Sequence, residues 1–94
     1  MKDISIGQYV ESTAGHDSGR NFVVICIINS QYVYISDGYN KTVENPKKKK
    51  VKHLKKLNYI SDEIKCKIES GRKVTNSEIR SFIKSINRYR EQEV

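Results

Sequence analysis

Residues 7–24 set the architecture of the chain, and they read Gly7-Gln8-Tyr9-Val10-Glu11-Ser12-Thr13-Ala14-Gly15-His16-Asp17-Ser18-Gly19-Arg20-Asn21-Phe22-Val23-Val24. Apolar and polar residues alternate toward Val10, which is typical of a half-buried strand that ends at Ser12. Gly15 and Gly19 can adopt positive φ without a Cβ clash, so we expect a tight loop around them. The apolar run that begins after Arg20 predicts a second strand. The segment therefore predicts two neighbouring strands joined by a glycine-rich loop.

Further strand signals follow as far as residue 57. Residues 22–28 are all apolar, so we expect one face of this strand to fill a sheet interior and the other to lie under a terminal helix. In the next strand Val33 and Ile35 share one face, and Tyr32 and Tyr34 share the other. The predicted strands are 6–12, 20–28, 32–36, 40–43 and 47–57.

The chain reads as helix from about residue 60 onward. Ser61 is a good N-cap. Asp62 and Glu63 follow it in the first turn, where the helix dipole favours acidic groups. Gly71 is expected to end this helix in the left-handed conformation. A second helix is predicted to begin at the capping box Thr75-Asn76-Ser77-Glu78. These signals predict an α+β fold in which strands are followed by two C-terminal helices.

Length and charge limit the class of protein. The chain has 94 residues, which allows one domain, and a formal net charge of +7. Such a charge favours polyanionic partners, with nucleic acid first and anionic membrane second. No segment reaches the roughly 20 apolar residues of a membrane span, and residues 1–5 lack the apolar core of a signal peptide. We therefore expect a cytoplasmic protein, with Cys26 and Cys66 as ordinary reduced thiols.

The densest charge is a lysine cluster between residues 47 and 56. It holds seven lysines and a histidine, namely Lys47, Lys48, Lys49, Lys50, Lys52, His53, Lys55 and Lys56. Such density suits backbone phosphates, because each neutralised phosphate releases condensed counterions. Three other interpretations stay open: a solvated basic loop, a disordered basic arm, or a membrane-surface segment. The membrane-surface segment is disfavoured because the cluster is not an amphipathic helix with bulky aromatics.

The glycine loop and the tyrosines are further candidates for ligand contact. Gly15 and Gly19 let backbone approach a ligand, and His16 and Arg20 can donate hydrogen bonds to a phosphate or a 2′-hydroxyl. The alternative is a tight turn needed only for folding. Tyr32 and Tyr34 either form a platform for unpaired bases or belong to the core, whereas Tyr39 is expected to be exposed. Arg80, Lys84 and Arg88 form either a second phosphate surface or a solvated helix face.

Catalytic signals are weak. His16 lies beside Asp17, but adjacent residues rarely orient each other as an acid-base pair, and no nucleophile-base pattern or carboxylate dyad is present. We expect no enzyme activity, no catalytic residue, no metal, no cofactor and no small-molecule substrate.

Four segments resemble a known family. Residues 7–24 resemble the KOW motif of ribosomal proteins and transcription elongation factors. Ile35-Ser36-Asp37-Gly38 resembles the strand end and turn of the "fourteen-e" type of large-subunit ribosomal protein. The lysine cluster after Asn45-Pro46, and the helix start Thr75-Asn76-Ser77-Glu78-Ile79-Arg80, are similar to small bacterial relatives described as KOW domain RNA-binding proteins.

The resemblance implies a fold and a function. The fold would be a five-stranded SH3-like (KOW) barrel over residues 1–58, with a C-terminal helical extension over residues 59–94 packed on it as one folding unit. The function would be binding of structured RNA without catalysis, with rRNA or a translation-associated RNA, and the ribosome, as partners, and with no membrane partner. The alternatives are an SH3-like protein-interaction module in transcription or translation complexes, and non-specific DNA binding. The predicted RNA-binding residues are Gly15, His16, Gly19, Arg20, Lys47, Lys48, Lys49, Lys50, Lys52, His53, Lys55 and Lys56.

Overall fold

The structure, a computed structural model, describes residues 3–92 of the chain. Its elements in chain order are β1 (Gln8–Ser12), β2 (Asn21–Ile27), β3 (Tyr32–Ser36), β4 (Lys47–Lys50), a 3-10 helix (Val51–His53), β5 (Leu54–Ile60), α1 (Asp62–Glu69) and α2 (Asn76–Gln92). The five strands form one antiparallel sheet in the order β4-β3-β2-β1-β5. The predicted α+β class, with a five-stranded sheet and two helices, is confirmed.

Two of the predicted strands differ from those observed. Residues 40–43, predicted as an edge strand, form bends. The reason is that side chains occupy the backbone groups a strand would use: Asp37 Oδ1 accepts from the amides of Tyr39 and Lys41 at 2.9 and 3.0 Å, and Ser36 Oγ donates to Lys41 O at 2.6 Å. Such local bonds compete with a sheet ladder.

The lysine-rich segment, residues 47–57, does not form the single strand that its sequence predicts. It divides at the 3-10 helix into β4 and β5, which lie at opposite edges of the sheet. Since β5 continues to Ile60, the domain boundary predicted after residue 58 falls inside this strand.

β2 contributes to two apolar clusters, one on each face. Phe22 and Val24 belong to an inner cluster completed by Val10, Val33, Ile35 and Leu54. Val23 belongs to a second cluster that contains Ile64, Val74 and Ile79 from the helical part of the chain. The prediction of a strand buried on both faces is therefore confirmed for the first half of β2.

The second half of β2 departs from that prediction. The register of β2 against β3 shifts between Val24 and Cys26, and Cys26 is exposed. Ile27 and Ile28 are also 45% and 39% exposed, so the apolar run extends beyond the cover that the helices provide.

The helix signals in the sequence are confirmed. Ser61 Oγ accepts from the amide of Ile64 at 3.1 Å, as expected of an N-cap. Thr75 and Glu78 form the reciprocal capping box, with bonds of 3.3 and 3.2 Å. Gly71 has the predicted positive φ, at +77°.

Gly38 fixes where α2 meets the sheet. This residue has a φ of +76°, and a Cβ at its position would lie 2.6 Å from the carbonyl oxygen of Asn76 in the first turn of α2. Arg80 Nη1 also donates to Gly38 O at 2.8 Å. The end of β3 and the start of α2 can approach this closely only because residue 38 has no side chain.

Candidate nucleic-acid interface

The four consecutive lysines of β4 divide between the two faces of the sheet. The antiparallel register pairs Lys47 with Ile35 and Lys49 with Val33, whose side chains lie in the inner core. Because opposite residues share a face and neighbours alternate, Lys48 and Lys50 lie on the outer face with their partners Tyr34 and Tyr32.

The two inner lysines bind Asp17, which lies in the loop between β1 and β2. Lys49 Nζ lies 2.9 Å from Asp17 Oδ1, and Lys47 Nζ lies 2.8 Å from Oδ2. Lys49 Nζ also donates to Ala14 O at 2.8 Å, and Ser12 Oγ donates to Asp17 Oδ1 at 2.8 Å. The side chains of Lys49 and Asp17 are only 8% and 9% exposed. This buried ion cluster attaches the loop to the inner side of β4.

The environment of Asp17 keeps its carboxylate ionised. Burial alone would raise the pKa of Asp17, but the hydrogen bonds from Lys47, Lys49 and Ser12 outweigh it and hold the pKa well below its ordinary value of 3.8. The ammonium groups of Lys47 and Lys49 are therefore engaged with an anion inside the protein.

The two outer lysines lie beside an aromatic side chain instead. Lys48 Nζ is 4.7 Å from the centroid of the Tyr32 ring, and Lys50 Nζ is 5.9 Å from it. Both distances are within the range of a cation–π contact. Tyr34 lies two residues further along the same face, opposite the exposed Cys26 of β2. The outer face thus presents two tyrosines on β3 next to two lysines on β4.

The 3-10 helix connects this region to the glycine loop. The amide of Val51 donates to Gln31 O at 2.8 Å, and the amide of Thr13 donates to His53 O at 2.9 Å. Lys52 is exposed and His53 is half-buried. The start of the glycine loop therefore lies against the 3-10 helix, although these residues are forty positions apart in the sequence.

The glycine loop has the predicted backbone. Gly15 and Gly19 have φ values of +85° and +86°, and His16 and Arg20 are exposed. Asp17 is the one side chain between these glycines that the fold buries, whereas Ser18 is exposed.

Six predicted cations remain available to a ligand. They are exposed, and none forms an ion pair within residues 3–92. We use the name basic surface for this set, which is spread over the residue before β2, the two edge strands and the 3-10 helix between them: Arg20, Lys48, Lys50, Lys52, Lys55 and Lys56. Lys49 is buried and Lys47 is bound to Asp17, so these two predicted residues lie outside it.

Sequence reasoning did not assign a role to Asp17. The signal that could have found it is its position as an acid within a glycine-flanked loop of a basic chain, where a buried carboxylate needs cationic partners. The sequence left two roles open for Tyr32, a core residue or a stacking platform, and the structure places its ring within 6 Å of the ammonium groups of both Lys48 and Lys50.

A smaller basic and aromatic pair lies at the start of α2. Tyr39 is 61% exposed, as predicted, and the Arg80 guanidinium lies 5.4 Å from its ring centroid. Because Arg80 is half-buried and bonded to Gly38, it differs from Lys84 and Arg88, which are exposed further along the same helix.

Neither described helix has the length and apolar character needed to cross a bilayer. Within residues 3–92, no group of three or more His, Cys, Asp and Glu side chains is placed to hold a metal ion. Comparison with known protein families and with curated proteins finds no match to this chain.

Proposed function

We propose that this protein binds RNA without catalysing a reaction, and that the basic surface carries the phosphate contacts. The observation that carries the proposal is the division of the lysine cluster. Lys47 and Lys49 have an internal counter-ion, whereas Lys48, Lys50 and the other members of the basic surface have none among the described residues. Cations held without internal partners are suited to an external polyanion.

Ribosomal or other translation-associated RNA is the ligand class that we propose. The support is the resemblance of residues 7–24 and 45–54 to KOW domain RNA-binding proteins, together with the positive φ of Gly15 and Gly19 in the loop where that family contacts RNA. His16 follows Gly15 and Arg20 follows Gly19, and both side chains are exposed, so a ligand can reach them. Such a ligand implies a cytoplasmic location.

We also propose that the sheet closes as an SH3-like barrel. The strand order β4-β3-β2-β1-β5 places consecutive strands at the two edges, with a 3-10 helix between them, as closure requires. The loop that holds Asp17 reaches β4 through the buried ion cluster, which supports a strongly curved sheet.

The experiment is crosslinking and sequencing of RNA bound to the tagged protein in cells. The test variant is Lys48→Ala/Lys50→Ala/Lys52→Ala, which removes three exposed cations and leaves the Asp17 cluster intact. A charge-matched control is Lys73→Ala/Lys84→Ala/Arg88→Ala, because these three residues are exposed and lie outside the basic surface.

We expect the wild type and the control to crosslink to the same RNA positions, and the test variant to lose them. Equal loss in the control would contradict the proposed surface, because binding would then follow net charge or use the basic face of α2 as well. Recovery of proteins without enriched RNA would contradict the proposal and favour an SH3-like protein-interaction module.

A further inference from the structure

We propose that the outer face of β3 and β4 binds unpaired nucleobases, with Tyr32 of β3 as the stacking ring and Lys48 and Lys50 of the neighbouring β4 as the phosphate contacts. This proposal rests on the proposed RNA-binding function and narrows its ligand to single-stranded RNA.

The sheet register places the three side chains together. Tyr32 lies directly opposite Lys50, and Lys48 lies opposite Tyr34, so two tyrosines of β3 lie beside two lysines of β4 on one face. Two residues along a strand separate Tyr32 from Tyr34 by about 7 Å. This spacing leaves room for a base against the first ring while the adjoining phosphates meet the lysines.

A duplex RNA could not place the face of a base against the Tyr32 ring. The faces of paired bases are covered by their neighbours in the stack, and only unpaired bases present a free face to an aromatic side chain. The lysines alone could bind either form of RNA, because backbone phosphates occur in both. A contribution of Tyr32 therefore distinguishes single strands from duplexes.

The lysine contacts in the free protein are compatible with this role. Lys48 Nζ at 4.7 Å from the ring centroid covers part of Tyr32. Its stem is flexible, and an exposed cation–π contact is weaker than base stacking on the same ring. An incoming base can therefore displace the ammonium group, which then moves to a neighbouring phosphate. Before binding, the same contact keeps the ring and the cation close together.

The test compares a single-stranded RNA with a duplex that contains the same strand. Affinities are measured by fluorescence anisotropy for the wild type, Tyr32→Leu and Tyr32→Phe. Leu removes the aromatic ring, whereas Phe keeps it and removes only the hydroxyl. Tyr39→Leu is the matched control, because Tyr39 is exposed and lies beside Arg80 rather than beside Lys48. Circular dichroism checks that each variant is folded.

We expect Tyr32→Leu to weaken single-strand binding roughly 10-fold and to leave duplex binding unchanged. Tyr32→Phe and Tyr39→Leu should bind both ligands as the wild type does. Wild-type levels of single-strand binding by Tyr32→Leu would overturn the stacking proposal and leave the proposed function intact. Absence of binding to either RNA by the wild type would overturn both.

A crosslinking measurement gives an independent readout. With a 4-thiouridine-containing single strand, we expect the crosslinked peptide to contain Tyr32 or Tyr34. Crosslinks confined to the glycine loop or to α2 would contradict the proposed face.

Discussion

Asp17 gives four consecutive lysines two different environments. Its carboxylate accepts from Lys47 and Lys49 on the inner side of β4, while Lys48 and Lys50 remain on the outer side. Without this acid, two cations would point toward the inner apolar cluster with no internal counter-ion. We infer that Asp17 allows a lysine-rich strand to belong to a small folded sheet.

The substitution Asp17→Asn tests this role. The substitution leaves Lys49 buried without a counter-ion, and removal of one partner of a buried pair typically costs about 3 kcal/mol or more. We therefore expect the free energy of unfolding at neutral pH to fall by about that amount, as measured by urea denaturation. Hydrogen exchange of the loop amides between β1 and β2 should also accelerate.

The pH dependence of stability provides a check on the same residue. The pKa of Asp17 is lower in the folded than in the unfolded protein. Its ionised form therefore stabilises the fold at pH values above the ordinary pKa of 3.8. This contribution is lost as the pH falls through the folded-state pKa. We expect the wild type to lose stability in acid more steeply than Asp17→Asn does. Parallel acid-unfolding curves for the two proteins would contradict the role assigned to Asp17.

Gly38 and Gly19 offer a matched pair of glycine variants. Both have positive φ, so Ala at either position carries a backbone cost of about 1 kcal/mol. At residue 38 the new Cβ would also lie 2.6 Å from Asn76 O, whereas at residue 19 it would meet no atom within 4 Å. We expect Gly38→Ala to lower the thermal midpoint clearly more than Gly19→Ala does. Equal losses would mean that α2 does not depend on this close approach.

At the scale of the element, the four residues of β4 divide between two faces with different surroundings. On one face of the strand Lys47 and Lys49 bind Asp17, and on the other face Lys48 and Lys50 are exposed, where we propose that they meet a ligand. The period of two residues in a β-strand is what separates these roles.

This separation predicts different effects for two charge-matched double variants. Lys47→Met/Lys49→Met leaves Asp17 buried without a cation, so we expect its free energy of unfolding to fall by about 3 kcal/mol or more. Lys48→Met/Lys50→Met removes only exposed cation–π contacts, so its stability should change by about 1 kcal/mol or less. Urea denaturation of both variants tests the difference, and equal destabilisation would contradict the assignment of faces.

The elements differ in how far the sequence alone predicts them. Ser61, Gly71 and the Thr75–Glu78 capping box act locally, so both ends of α1 and the start of α2 were predictable from their neighbours in sequence. The division of residues 47–57 into two strands was not, because it depends on pairing with β3 at one edge and β1 at the other. The bends at residues 40–43 depend on hydrogen bonds to Ser36 and Asp37, which β-propensity does not describe.

The candidate site was predictable in composition and not in arrangement. The lysine cluster and the positive φ of Gly15 and Gly19 follow from residue types alone. The burial of Lys49 does not, because it requires the loop that holds Asp17 to reach β4, thirty-two positions away in sequence. The contact of Lys48 with Tyr32 likewise depends on strand register.

At the scale of the whole molecule, the position of the charge matters more than its sum. The chain carries a net charge of +7, and the described part measures 36 × 27 × 24 Å. The Debye length at physiological ionic strength is about 8 Å, which is shorter than any of these dimensions. A bound phosphate therefore interacts mainly with nearby cations, and we expect the basic surface to dominate binding.

The salt dependence of RNA affinity tests this account most directly. If five of the six cations of the basic surface meet phosphates on a single strand, the slope of log affinity against log salt is about −3.5. For Lys48→Met/Lys50→Met the slope should become less steep by about 1.4, because two phosphate contacts are lost. For the control Lys73→Met/Lys84→Met the slope should equal that of the wild type. A wild-type slope near zero, or equal slopes for Lys48→Met/Lys50→Met and the wild type, would contradict RNA binding through this surface.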